Sequence, residues 1–223
     1  MLIIFDLDDT LIDTTGSITP GLLQKALHGM VKAGLKVDSF EDALATLRRL
    51  DLTAESALHT LQEFMELVDA DPSLLSIGEQ IIYGEIAEDF SVFPLDEAYE
   101  VLEQLKEQHS LALVSIGQQE RQMRKMENAG LDSTIFSKIV ILQQENKKPA
   151  YQKVLEEINA QPAKTVVCGD RIERDLTPAK QLGCKTIHMR WGRGLGMKAR
   201  RLHSDVDFTV YRLNQIQEII ERL

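Results

Sequence analysis

Five short apolar runs, each too short for a helix and each closed by acidic, polar or glycine residues, constrain this chain more than any other feature. They are Leu2–Phe5 before Asp6, Leu111–Ser115, Lys138–Leu142, Thr165–Gly169 and Thr186–Met189. Continuous apolar runs of four or five residues read as strands buried on both faces. Helix-period stretches separate them. Tyr99, Leu102 and Leu105 form one face; Met123, Met126 and Ala129 a second; Tyr151, Val154, Leu155 and Ile158 a third; Leu176, Ala179 and Leu182 a fourth. Strands alternating with amphipathic helices predict an α/β core: a doubly wound parallel sheet, Rossmann-like, with helices on both faces. A short strand at Phe208–Val210 and a helix carrying Leu213, Ile216, Ile219 and Ile220 extend it.

The alternation fails between about Thr19 and Asp89. This stretch offers helical patterns only: Leu22, Leu23, Ala26, Leu27 and Met30; Ala43, Leu44 and Leu47; Ala57, Leu58, Leu61, Phe64, Met65 and Val68; then Leu74 to Ala87. It reads as a helical insertion after the first strand, with residues 1–16 and 91–223 forming the core and 17–90 the insert. The insert holds most of the chain's excess acid. Residues 1–100 carry 20 acidic and 5 basic side chains, residues 101–223 carry 15 and 20, and the formal net charge is −10. That balance disfavours a nucleic-acid surface in the first part. No apolar stretch reaches the roughly 18 to 20 residues of a membrane span, and Met1 leads into Leu2 without a basic, signal-like segment. A cytoplasmic protein is the expectation. Cys168 and Cys184 lack metal-ligand spacing and read as reduced thiols.

The ends of the strands carry the candidate chemistry, because ligands of parallel sheets bind at the carboxyl edge. Asp6, Asp8 and Asp9 crowd three carboxylates into four residues. On an extended chain Asp6 and Asp8 share a side and Asp9 points to the other. Such crowding demands a proton or a cation, and hard oxygen donors suit Mg²⁺; a solvated turn of acids is the plain alternative. Asp170, after Val166–Gly169, can face Asp6 across neighbouring strand ends, or it caps the helix that follows. Asp175 lies near that helix start. Ser115, followed by Gly117, offers a hydroxyl and backbone N–H groups for phosphate oxygens. In Lys147-Lys148-Pro149, Pro149 at the first helical position leaves Lys148 beside the site, although paired lysines are more often surface residues.

Read in order, Asp6-Leu-Asp8-Asp9-Thr10, Ser115, Lys148-Pro149 and Gly169-Asp170 to Asp175, the chain resembles the haloacid dehalogenase-like (HAD) hydrolase superfamily from Met1 to about Met189. The resemblance implies a phosphatase-type core with an all-helical cap inserted after the first motif, acting on a small phosphorylated metabolite. It implies Asp6 as the nucleophile that forms an aspartyl-phosphate, and Asp8 as the group that protonates the leaving oxygen and later activates water. Mg²⁺ would be held by Asp6, the backbone carbonyl of Asp8 and Asp170, with Asp175 as ligand or support. Ser115 and Lys148 would bind the transferred phosphoryl group, and the cap would gate water. Two departures stand out: Asp9 occupies a place often filled by glycine, and Pro178 follows Asp175 where many relatives have glycine. A phosphomutase of the same family, or an aspartate-phosphorylated receiver without turnover, remains open at this point. The segment Arg190-Trp191-Gly192-Arg193 to Lys198, Arg200 and Arg201 is a basic, glycine-rich stretch that could hold an anion or simply form a surface loop. His188 and His203 read as structural or exposed.

Overall fold

The structure, a computed structural model, describes residues 1–84, 90–196 and 204–223. Among them six strands form one all-parallel sheet: β1 (Leu2–Phe5), β2 (Ser110–Ile116), β3 (Lys138–Leu142), β4 (Thr165–Gly169), β5 (Lys185–Met189) and β6 (Phe208–Val210), in the order β3-β2-β1-β4-β5-β6. The chain moves outward from β1 through β2 to β3, then returns to β4 on the other side of β1. That reversal opens a crevice beyond the carboxyl ends of β1 and β4.

Strand period dictates the layering. Leu2 and Ile4 join Ala112, Val114 and Val167 on one face, where Tyr151, Val154 and Leu155 cover them. Ile3 and Phe5 alternate with them and are equally buried. Both faces of β1 are therefore dry, as its unbroken apolar run requires, whereas β3, expected to be buried on both faces, lies at the sheet edge and is only half-buried along its length. The helices of the sheet-bearing part of the chain are α5 (Ala98–Lys106), α6 (Gln119–Asn128), α7 (Lys148–Ile158), α8 (Thr177–Lys180), α9 (Arg193–Gly196) and α10 (Gln215–Ile220). On α5 the buried stripe is Ala98, Val101, Leu102 and Leu105. Tyr99, expected on that stripe, sits about 100° off it, is 38% exposed and donates its hydroxyl to the Ala129 carbonyl.

The chain divides into two compact units, Met1–Asp13 with Ser91–Leu223, and Thr14–Phe90. The described part of the second is helical: α1 (Thr19–Lys32), α2 (Phe40–Asp51), α3 (Ala57–Leu67) and α4 (Leu75–Tyr83). Ser39 and Ser56 cap α2 and α3, accepting from the N–H groups of Asp42 and His59. Leu23, Ala26, Leu27, Met30, Leu47, Leu61 and Phe64 fill its core. Gly78 lets α4 approach closely, since a Cβ there would lie 2.5 Å from Leu61 Cδ1. Ala87, the expected end of this helical run, lies outside the described residues. None of the described helices is long and apolar enough to cross a membrane.

Candidate active site

Strand register brings the acids together. Phe5 aligns with Cys168, and the N–H of Asp6 donates to the Cys168 carbonyl at 2.9 Å, so Asp6 stands level with Gly169 and next to Asp170. Asp6, Asp170 and Asp175 are all buried, and each offers a carboxylate oxygen within 4.8 Å of the others'. Gly169 makes the approach of Asp175 possible: a Cβ at that position would lie 2.5 Å from Asp175 Cβ. Asp175 closes its own loop, its Oδ2 accepting from the Arg171 N–H at 2.9 Å. His188, read as structural or exposed, is buried with Nε2 3.0 Å from the Asp170 carbonyl. A carbonyl only accepts, so Nε2 carries the proton.

The lysine in this cluster is Lys147, and the expectation for Lys148 is corrected. Lys147 Nζ lies 2.5 Å from Asp6 Oδ1 and 2.6 Å from Asp175 Oδ1, almost fully buried. Lys148 Nζ instead reaches Gln181 Oε1 at the surface. The helix begins one residue earlier than Pro149 suggested: Lys148 is its first residue, Asn146 Oδ1 accepts from the Lys148 N–H, and Lys147 is the N-cap. Lys147 stands three, four and seven residues before Ala150, Tyr151 and Val154, the buried stripe of α7, so helical period turns it inward. That periodicity was the available signal.

Asp8 and Ser115 meet a pair of side chains that sequence reading missed. Gln122 Nε2 donates to Asp8 Oδ2 and to Ser115 Oγ, each at 2.7 Å, and Lys125 Nζ lies 2.7 Å from Asp8 Oδ1. Ser115 is buried, and because its oxygen accepts from Gln122 its own proton can point to another acceptor. The buried face of α6 is Gln122, Lys125 and Met126, not the purely apolar stripe through Met123. Gly117 also differs from expectation. Its N–H donates to the Leu142 carbonyl, and a Cβ would lie 3.0 Å from Gln122 Cγ, so this glycine at φ +152° makes room for the Gln122 side chain.

Asp9 adopts φ 55°, a left-handed conformation that explains why glycine suits the position and why Asp, tolerant of it, can stand there. The turn after β1 buries Asp9, and its charge acts on Asp170. A Cβ on Gly192 would overlap the Asp9 carboxyl, and Trp191 Nε1 donates to Asp13 Oδ1 at 2.9 Å. The start of the basic segment therefore folds back onto the first motif. Lys198, Arg200, Arg201 and His203 lie outside the described residues. Pro178 occupies the first turn of α8, where proline is tolerated.

The electrostatics favour a cation. Burial raises the Asp6 carboxyl to about 7; Lys147 opposes this, while Asp175 and Asp8 add to it. Burial, reinforced by Asp175, Asp9 and Asp6, also holds Asp170 well above the usual carboxylate range, against the pull of Arg171. Burial alone would lower the Lys147 ammonium, but Asp175 and Asp6 outweigh it and carry it well above its ordinary value. Lys147 pairs with Asp6 and Asp175, Lys125 with Asp8, and Arg171 with Asp170. Three buried carboxylates at such spacing, with oxygen donors alone, fit a hard divalent ion.

Residues 3–189 match the family described as haloacid dehalogenase-like hydrolase. Two relatives are named glyceraldehyde 3-phosphate phosphatase. The one from Methanocaldococcus jannaschii is 26% identical over 228 residues, covering 98% of this chain and 95% of its own length. That from Pyrococcus furiosus is 26% identical over 230 residues, covering 99% and 93%. Among solved structures, a HAD-superfamily hydrolase of subfamily IA, variant 1, from Geobacter sulfurreducens aligns with TM-score 0.69 at 16% identity over 98% of this chain and 95% of its own. A HAD phosphatase from Thermococcus onnurineus aligns with TM-score 0.64 at 18% identity over 98% and 97%.

Proposed function

The chain belongs to the haloacid dehalogenase-like hydrolase family, and we propose that it is a Mg²⁺-dependent phosphatase that hydrolyses a small phosphorylated metabolite through a phosphorylated Asp6. It is a phosphoric monoester hydrolase, as its relatives are. The observation that carries the finer reading is the Lys147 ammonium set between Asp6 and Asp175, with Asp170 beside them, at the crevice between β1 and β4.

In this reading Asp6 attacks phosphorus and the ester oxygen leaves with a proton from Asp8. Water then attacks the acyl-phosphate, deprotonated by Asp8, and releases phosphate while Asp6 is regenerated. A carboxylate is a weak nucleophile, so two easier steps replace one difficult one, and a placed acid/base typically adds about 10²- to 10⁴-fold. Lys147 and Ser115 bind the transferred oxygens. Asp6, Asp170 and the backbone carbonyl of Asp8 would hold the ion, with Asp175 as ligand or as the support of Lys147. When bound, Mg²⁺ draws charge from the phosphoryl oxygens and lets two anions meet. The helical insert, residues 17–90, is assigned the cap's role of selecting the organic part of the substrate and excluding water.

Glyceraldehyde 3-phosphate is the first ester to test, because the relatives carry that name. The experiment is phosphate release from a panel of esters, with and without chelator, beside Asp6→Asn. Wild type with Mg²⁺ should turn over at least one ester, and chelator or Asp6→Asn should abolish release. Equal release by wild type and Asp6→Asn would overturn the mechanism, and an isomerised sugar phosphate in place of free phosphate would make the enzyme a mutase.

A further inference from the structure

Asp8 lies just beyond β1 in a turn, so no regular element fixes its side chain, although the reaction proposed above needs its carboxyl aimed at one oxygen. The aim comes from α6. Gln122 and Lys125 are three residues apart and share one helix face; Gln122 Nε2 takes Asp8 Oδ2 and Lys125 Nζ takes Asp8 Oδ1, both at 2.7 Å. We propose that Gln122 and Lys125 are positioning residues that hold Asp8 by one oxygen each and lock it in register with Ser115.

Three independent features support this. The Lys125 side chain is 7% exposed, and lysine is almost never buried without a partner. Burying the ammonium carries a desolvation cost, and a well-packed apolar residue in its place is often as stable or more so. Stability alone thus gives little reason for a lysine here. Second, the same Gln122 nitrogen reaches Ser115 Oγ, so one amide spans the acid/base and the phosphate-binding strand end. Third, the backbone makes way for that amide: Gly117, at φ +152°, has a Cβ direction that would meet Gln122 Cγ at 3.0 Å and Cδ at 3.1 Å. A carboxylate has about four lone-pair sites, so two donors fix its plane while further sites exist for exchanging a proton.

The inference rests on the phosphatase reading, and the test separates the two. Steady-state kinetics with Mg²⁺ and the best ester of the panel would compare wild type, Asp6→Asn, Asp8→Asn, Lys125→Met, Lys125→Arg and the double variant Asp8→Asn/Lys125→Met, each checked for folding by circular dichroism. A misplaced reacting group costs up to about 100-fold. Lys125→Met should lower kcat by about 10- to 100-fold with KM changed by less than about threefold, and Lys125→Arg should restore most of it. In the Asp8→Asn background Lys125→Met should change kcat by less than about twofold, because Lys125 acts only through Asp8. An equal loss in both backgrounds, or a folded Lys125→Met with wild-type kcat, overturns the positioning role. If Lys125→Met does not fold, Gln122→Leu takes its place in the same cycle, read at saturating substrate so that loss of the Ser115 contact falls on KM. An active Asp6→Asn would defeat the parent reading and this one with it; an inactive Asp6→Asn beside an unaffected Lys125→Met would defeat this one alone.

Discussion

A difference of one residue decides which lysine matters. Lys147 and Lys148 are chemically identical, yet a rotation of 100° about the α7 axis sends the first among Asp6, Asp175 and Tyr151 and the second to Gln181 at the surface. With Mg²⁺ present, Lys147→Met should lower kcat/KM by about 10²- to 10³-fold, the typical cost of removing a donor aimed at developing negative charge. Lys148→Met should stay within about twofold of wild type; the comparison is one steady-state assay. The acids themselves were legible: Asp-x-Asp after a buried strand and Gly-Asp after another announce convergent carboxylates. Gln122 and Lys125 were not, because a polar side chain on the inner face of a helix looks like an ordinary surface residue until its partner, more than a hundred residues away, is known.

At the level of elements, the outer strands are tied by charge rather than by apolar burial alone. Asp207, just before β6, accepts from Lys180 at the end of α8 and from the Thr186 N–H in β5. Burial pushes its carboxyl up, but the hydrogen bonds from Lys180 and Thr186 outweigh it and its pKa lies below the ordinary carboxylate value. A depressed pKa means that the folded state favours the ionised form. The contribution is therefore present above the unfolded value of about 4 and disappears as pH falls through the lower, folded one. Asp207→Asn should lower the melting temperature at pH 7 by a few degrees, consistent with about 1 kcal/mol for a solvent-screened pair. The gap should narrow below pH 4 and in high salt, as thermal melts across a pH series would show. The strands and helices around this link were readable from period alone, for two-sided burial writes unbroken apolar runs and amphipathic helices write stripes at i, i+3 and i+4. Their ends were less so: α7 begins at Lys148, whose N–H donates to Asn146 Oδ1, with Lys147 as the N-cap, a detail the proline behind it obscured.

For the molecule as a whole, the site strains the fold that carries it. Without a cation, Asp6 at about 7 and Asp170 well above its usual range retain protons that the unfolded chain releases near pH 4. Stability of the metal-free protein should therefore fall as pH rises from about 4 through 7. Mg²⁺ at about 100 times its dissociation constant should restore about 2.7 kcal/mol, raising the melting temperature by roughly 5 to 10 °C. That gain should be larger at pH 8 than at pH 5.5, where protons compete for the same oxygens, and Asp170→Ala should lose it; scanning calorimetry at the two pH values checks both. The division of labour between sequence and structure follows from the same physics. Sequence by itself determined the layered α/β core, the helical insert and the identity of the acids, because burial and backbone period act locally and leave their pattern in neighbouring residues. Only the tertiary structure decided which lysine joins Asp6, that Gly117 and Gly169 clear space for Gln122 and Asp175, and that α6 grips Asp8. Those choices depend on distances between strand ends, and register and crossover set them from parts of the chain that share no local pattern.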